Sequence, residues 1–334
     1  MDEARTTDHR GQPMATDSAS TDSFGKAVAY LMAGVACGLG LDLCAKWLLA
    51  DYPLQQFVFL RSLLGLFVFI AISRWYGGLS SLKTRRWRWH ALRTVLASIA
   101  MFGFFYGLTQ MPLVNTLTLA FTAPLIVTAL SVPILGEHVG WRRWAAVLVG
   151  FTGVLVILRP GAGLINLASL AVLAAAAAYA GLAITARKLA ATETTYAMSV
   201  YVIAGPMVIS LFTLPDTVSW PTPSGWFFFV LAGVCSAGAW VGIVGGYRRA
   251  SPAVLAPFEY TALIGGAIAG YFIWDEVPDR YVVLGGTIII GSGLYVVYRE
   301  SGASLSTRYL RSFTAGGAAS IARRWRRSGR QDST

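Results

Sequence analysis

Glu259 is an acid inside an apolar run, two residues after Pro257 and next to Tyr260, in the segment Ala256-Pro-Phe-Glu-Tyr-Thr261. A carboxylate at the centre of a membrane helix costs about 2.5 to 3.5 kcal/mol on insertion scales, so an acid retained there usually marks a pathway. Desolvation disfavours the charged form. Glu259 is therefore a candidate proton carrier or counter-ion for a cationic group, with a hydrogen-bonded structural acid as the alternative. Pro257 removes a backbone donor and crowds the preceding turn, so the helix is expected to bend there and leave carbonyls facing a cavity. Pro124 and Pro206 offer similar breaks.

Asp42 and Lys46 are i,i+4 neighbours on one helix face, and Arg61 lies at a similar depth, roughly 10 Å in, on the next apolar run. Asp42 and Arg61 are expected to pair, either to gate a substrate or to bolt two helices together, while Lys46 alone could snorkel outward. Trp240, Tyr260, Tyr179 and Tyr106 are aromatic residues within apolar runs, suited to stacking on a planar or cationic ligand or to packing. Gly238, Gly242 and Gly246 form a row at four-residue spacing, as do Gly34/Gly38 and Gly266/Gly270, and such rows let helix backbones approach closely.

Other chemistries find little support. Catalysis would want a nucleophile beside its base, a metal cluster or a phosphate-cradling loop, and no such set occurs. His9, His90 and His138 fall in the tail and connections, away from any Cys/His/Asp grouping at ligand spacing, so neither metal nor cofactor is expected. Cys37, Cys44 and Cys235 read as packing residues.

These side chains need helices in lipid to position them. The chain is 55% hydrophobic and only 13% charged, where soluble domains carry about a quarter charged residues. Runs near 20 residues long, enough to cross about 30 Å of hydrocarbon, fall at 26–48, 54–75, 91–110, 113–135, 143–158, 165–186, 195–214, 225–247, 253–273 and 281–298. The segment Ala120-Phe-Thr-Ala123, running on to Leu135-Gly-Glu137, recurs 139 positions later as Glu259-Tyr-Thr-Ala262, running on to Trp274-Asp-Glu276. Five runs per copy is an odd number, so the second copy enters the bilayer inverted. The expected fold is an all-α integral membrane protein of ten transmembrane helices, arranged as two inverted five-helix repeats over 25–160 and 161–299. Inverted repeats of this kind hold a substrate between the halves near the midplane. Glu137 and Glu276, equivalent by the repeat, read as caps or interface charges at helix ends.

With the N-terminus inside, 23 of the 27 Lys and Arg fall on the cytoplasmic side, leaving Lys46, Arg61, Arg159 and Arg280. Excess Lys and Arg in short loops stays cytoplasmic, so both termini are expected inside a plasma membrane, a bacterial inner membrane being the natural setting. Trp87 and Trp89 on one side, with Trp220 and Trp226 on the other, suit the two interfaces. Residues 1–24, rich in Ser, Thr and Asp, read as a disordered cytoplasmic tail and not a cleaved signal. The basic tail over 300–334, with Arg323-Arg-Trp-Arg-Arg327, suits anionic lipid headgroups better than nucleic acid.

The stretch from Arg93 to Gly161, with Gly136-Glu137 and Arg159-Pro-Gly161, resembles the EamA-type drug/metabolite transporter (DMT) superfamily. So does the stretch from Ala256 through Asp275-Glu276 and Pro278 to the glycine-rich final helix. Trp220-Pro-Thr-Pro-Ser-Gly225 and the Ala-Pro-aromatic-x-Tyr run are similar to the branch that takes up S-adenosylmethionine. The resemblance covers about 25–300. It implies a secondary transporter, a permease for a small organic metabolite working by alternating access, with proton coupling as an option. Its cavity would be bordered by segments one, three, four, six, eight and nine. A lipid or lipid-precursor translocator is the alternative within the same fold, and a membrane-embedded enzyme the alternative outside it.

Overall fold

The computed structural model describes residues 18–71, 73, 82–136, 140–159, 166–189, 192–247, 249, 255, 258–296 and 298. Both terminal tails, Glu137, His138, Arg248 and the Ala256-Pro257 pair lie outside the described residues. Among the described residues the chain is helical, without strands. The helices are α1 (Ser18–Leu48), α2 (Leu54–Ala71), α3 (Trp87–Gln110), α4 (Leu113–Ala120), α5 (Ala123–Leu135), α6 (Trp141–Leu158), α7 (Leu167–Leu189), α8 (Thr195–Phe212), α9 (Pro223–Tyr247), α10 (Thr261–Trp274) and α11 (Arg280–Val296). Among the described residues, seven helical stretches are long and apolar enough to cross a membrane, α4 and α5 together forming one. Three apolar helices are shorter, at Tyr196–Phe212, Thr261–Trp274 and Arg280–Val296.

These helices are apolar on all sides. Phe57 and Phe229 are fully buried, whereas Phe67, Leu148 and Phe272 stand well exposed on helix faces that point outward. A helix apolar all round has lipid or a large core on every side. Burial therefore separates inner from outer faces where hydrophobicity does not.

Two expected spans are interrupted at matching places. The run 113–135 breaks at Phe121 and Thr122, between α4 and α5, with Pro124 in the first turn of α5. Proline at that position gives up a donor that would have no partner anyway. The Thr122 hydroxyl donates to the Leu119 carbonyl at 2.7 Å, satisfying an acceptor at the helix end. The run 253–273 breaks at Tyr260, where the Thr261 hydroxyl donates to the Phe258 carbonyl at 2.6 Å. Both helices that follow end in the left-handed region, α5 at Gly136 (φ 69°) and α10 at Asp275 (φ 53°). Each of these features recurs 139 positions later. The expected break at Pro206 does not occur: α8 runs through it, and the buried Ser210 hydroxyl donates to the Pro206 carbonyl at 2.6 Å.

The most extensive packing joins α1 to α9 and α3 to α7. Both contacts are backbone-close. A Cβ on Gly34 would lie 2.6 Å from the Ile243 nitrogen, and one on Gly103 would lie 2.5 Å from the Ala171 carbonyl oxygen. No side chain fits such gaps, which is what a row of small residues achieves.

Hydrogen bonds tie several connections together on one face, here called the distal face. Lys46 at the end of α1 pairs with Glu276, whose other carboxylate oxygen accepts from the Leu113 N–H at the start of α4 at 2.9 Å. Glu276 thus caps a helix it does not belong to. Tyr52 accepts from the Thr222 N–H at 3.0 Å, and Gln56 donates to the Ser219 carbonyl at 2.7 Å. Arg159 pairs with Asp279 and lies over the Tyr281 ring. On the opposite, proximal face, Glu193 accepts from the Thr84 hydroxyl at 2.9 Å and meets His90 Nε2 at 3.1 Å. His90 lies in the first turn of α3, buried, and not in a connection as the sequence suggested, because α3 starts earlier than expected.

Candidate binding cavity

Breaking two helices at mid-depth leaves room between the elements around them. A cavity of about 320 Å³ opens there, bordered by α1, α3, α4, α5, α7, α9 and the turn leading into α10. That volume lies at the low end of the usual range for small-molecule sites, about 300 to 1,000 Å³. Gly34 and Gly38 of α1, Ala100 of α3, Ala120 of α4 and Ala175 and Ala176 of α7 form a floor of small side chains. Phe104, Phe121 and Tyr179 supply aromatic walls. Asp42 and Glu259 supply carboxylates, and no described Lys or Arg lines the cavity.

The sequence candidates divide into those at the wall and those behind it. Glu259, Asp42 and Tyr179 line the cavity. Glu259 is partly buried and close enough for its charge to act on the hydroxyls of Tyr179 and Tyr260. Tyr260 stands one layer back, buried, with its ring 5.1 Å from that of Phe121 and tilted by 31°. It fixes the position of a wall residue without being one.

Arg61 is also one layer back, 7% exposed on α2. Its guanidinium donates to the Ser236 hydroxyl at 2.9 Å and points at the Met101 sulfur at 3.1 Å, with the Phe105 ring 5.4 Å away. Its charge interacts with that of Asp42, but the two do not form a direct ion pair. Lys46, the i,i+4 neighbour of Asp42, is likewise taken up elsewhere, by Glu276.

Trp240 and Tyr106 do not reach the cavity. Trp240 packs edge-on against Phe69, 6.1 Å between centroids, beside Tyr196 and Val200. Tyr106 sits two residues beyond the wall residue Phe104, a rotation of about 200° around a helix of 3.6 residues per turn. Sequence reasoning missed Phe104, which carries no signal of its own in an aromatic-rich helix. It also missed Phe121, although the repeat places Phe121 opposite Tyr260. The small-residue rows proved double in role, with Gly34 closing on α9 and also flooring the cavity.

On the distal side the cavity is sealed by an apolar cluster that includes Leu41, Phe105, Leu113, Leu117, Tyr260 and Leu263. Above that plug sit the Lys46–Glu276 pair and the capped start of α4.

A multi-helix membrane protein enclosing a ligand-sized cavity between broken helices belongs to the class of membrane carriers. More particularly, the chain belongs to the EamA-like transporter family of the drug/metabolite transporter superfamily, whose model matches residues 25–159 and again 166–299. It is 32% identical over 274 residues to an S-adenosylmethionine uptake transporter of Rickettsia prowazekii, covering 80% of this chain and 90% of that protein. It is 33% identical over 229 residues to a riboflavin transporter of Vibrio cholerae, covering 66% and 75%. A solved crystal structure at 22% identity shares the fold, with a TM-score of 0.60 over 81% of this chain and 97% of that one. The family and these named relatives are transporters and not enzymes.

Proposed function

We propose that the protein is a secondary active transporter carrying a small organic metabolite across a bacterial inner membrane by alternating access. Ten spans in two inverted halves, 25–160 and 161–299, enclose the cavity. The observation that carries the reading is the cavity between broken helices, with its carboxylates and the apolar cluster on its distal side.

The pattern of helix contacts supports the inverted halves. Exchanging the halves turns α1 into α7, α2 into α8, α3 into α9, the α4–α5 pair into α10, and α6 into α11. That exchange turns the α1–α9 contact into α7–α3 and the α2–α9 contact into α8–α3. It also turns the contacts of α4 and α5 with α7 into α10 with α1, and leaves α2–α8 and α4–α10 unchanged. All of these contacts occur. A pseudo-two-fold axis in the membrane plane would require that correspondence.

The proximal face is the cytoplasmic one in this reading. It carries Arg85, Arg86, Arg88, Arg142, Arg143, Lys188 and Arg249, while the distal face has Lys46, Arg159 and Arg280. The distal seal then makes the conformation closed to the outside. The basic C-terminal tail rests on anionic lipid in this arrangement. Glu259 is the functional acid, loaded by a proton or by the cationic group of a substrate in turn.

Uptake of labelled S-adenosylmethionine and riboflavin into proteoliposomes, with and without an imposed pH gradient, tests the reading. Saturable, gradient-driven accumulation of either is expected. Movement of labelled phospholipid with neither metabolite transported would replace it by lipid translocation.

A further inference from the structure

Deepening the carrier reading on which it rests, we propose that the cavity selects a substrate bearing a positive charge beside a flat ring. Asp42 and Glu259 meet the charge, while Phe104, Phe121 and Tyr179 flank the ring.

The sign of the charge follows from the wall. Its acidic or basic side chains among the described residues are both carboxylates, set in a surface otherwise built of Gly, Ala, Val, Leu, Ile, Pro and aromatic residues. An anion beside these carboxylates would be repelled, and an uncharged ligand would gain nothing from their charge. A cation gains from both. The flanking rings add to this, because a cationic centre within about 6 Å of an aromatic face is attracted to it.

The two carboxylates are not part of the duplicated scaffold. The positions 139 residues away from Asp42 and Glu259 are Gly181 and Ala120. The acids therefore reach one cavity from different halves, and Ala120, the counterpart of Glu259, itself lines that cavity. Tyr179 is likewise paired with Gly40 by that spacing. The polar groups are an addition to a symmetric apolar shell, which is the expected position of specificity determinants.

Arg61 is a positioning residue for Asp42. Held by Ser236 and by Met101, it does not line the cavity, yet its charge acts on the Asp42 carboxyl from behind. That leaves Asp42 aimed at ligand and not consumed by an ion pair. The cavity of about 320 Å³ suits one ring system with a short charged arm.

Binding of three probes to the purified full-length protein, by calorimetry near pH 7.5, tests the proposal. S-adenosylmethionine carries a sulfonium charge; S-adenosylhomocysteine keeps the adenine, ribose and amino acid but has an uncharged thioether; riboflavin is flat and uncharged. The sulfonium is expected to bind at least about tenfold tighter than the thioether. Asp42→Asn should erase most of that preference by weakening sulfonium binding more than thioether binding, whereas Asp42→Glu should retain it. Glu259→Gln, as a second variant, should also reduce it. Equal affinity for sulfonium and thioether in the wild type overturns the proposal, and so does a preference for riboflavin. In either case saturable flux of the bound probe in proteoliposomes leaves the carrier reading standing, whereas absence of flux for all three removes both.

Discussion

Phe121 and Tyr260 stack on each other across the centre of the protein, 5.1 Å between ring centroids, and they are separated by the 139 residues that relate the two copies of the sequence. Residues exchanged by a two-fold axis can touch each other only near that axis. In the proposed inverted arrangement their contact would mark where the axis runs, beside the cavity and at both helix breaks. The pair is expected to hold the breaks together: Phe121→Ala and Tyr260→Ala should each lower thermal stability in detergent. Aromatic pairs of this type contribute about 0.5 to 1.5 kcal/mol beyond burial, so a double-mutant cycle should show coupling of that size. Tyr260→Phe should be nearly silent. A cycle with no coupling would remove the pair from any structural role.

The Lys46–Glu276 pair and the Glu276 cap on Leu113 hold the distal ends of α1, α4 and α10 together. Glu276→Gln keeps an acceptor for the Leu113 N–H but loses the ion pair. The distal seal should then open more often. A cysteine placed at Leu117, reached from outside by a water-soluble thiol reagent, should react several-fold faster in that background. Unchanged labelling would mean that the apolar plug alone keeps the face shut.

Asp279 lies at the distal surface, outside the spans, and its carboxyl is held below the ordinary value of 3.8 by the Arg159 hydrogen bond first and the Tyr281 N–H second. A group with a lowered native pKa adds stability that is present above its unfolded value and lost as pH falls through the native one. The stability difference between wild type and Asp279→Asn should be constant near neutrality and shrink below about pH 4. Melting curves across pH 3 to 7 read this directly. A difference that grows on acidification would contradict the assignment.

Close backbone packing makes some glycines irreplaceable. A Cβ on Gly242 would lie 2.4 Å from the Gly34 Cα, whereas one on Gly291 meets nothing within 4 Å. Overpacking of a tight contact costs about 1 to 3 kcal/mol, and more where backbone cannot move. Gly242→Ala should lower the melting temperature by several degrees or abolish folded protein, and Gly291→Ala should be neutral or slightly stabilising. Similar effects at both positions would mean that α1 and α9 can separate freely.

Reporter fusions check the orientation. Those after Gly77 and Arg249 should read cytoplasmic, and those after Gly161 and Thr217 should read external. The reverse pattern would overturn both the charge argument and the inverted halves.

The apolar helices were legible because they rest on length and composition over many residues, although three of the ten expected runs are shorter helices among the described residues. Glu259 and Asp42 were legible because ionisable groups are conspicuous in an apolar chain, and both line the cavity. Direction was harder. Trp240 and Tyr106 look the same in sequence as Phe104 and Tyr179, yet only the latter two face the cavity, because lipid and core are equally apolar and the pattern does not tell them apart. Arg61 was expected to pair with Asp42, and the two do not form a direct ion pair. Its direct partner, Ser236, is a small polar residue on a helix 175 positions away, a relation with no local signature. The break at Phe121 and Thr122 falls beside Pro124, whereas α8 runs through Pro206 unbroken.

The two glycine-lined contacts, Gly34 against α9 and Gly103 against α7, have a mechanical meaning. Interlocked side chains act as gear teeth, and a helix can leave them only by changing rotamers. Bare backbone against bare backbone has no teeth. Each contact is a close bearing between helices, and in the proposed inverted arrangement an axis beside Phe121 and Tyr260 would link the two bearings as one. In the proposed alternating-access cycle, rolling on one would accompany rolling on the other, so that widening the proximal end of the cavity narrows the distal one. Spin labels at the proximal ends of α2 and α8 and at their distal ends should accordingly change separation in opposite senses when ligand is added.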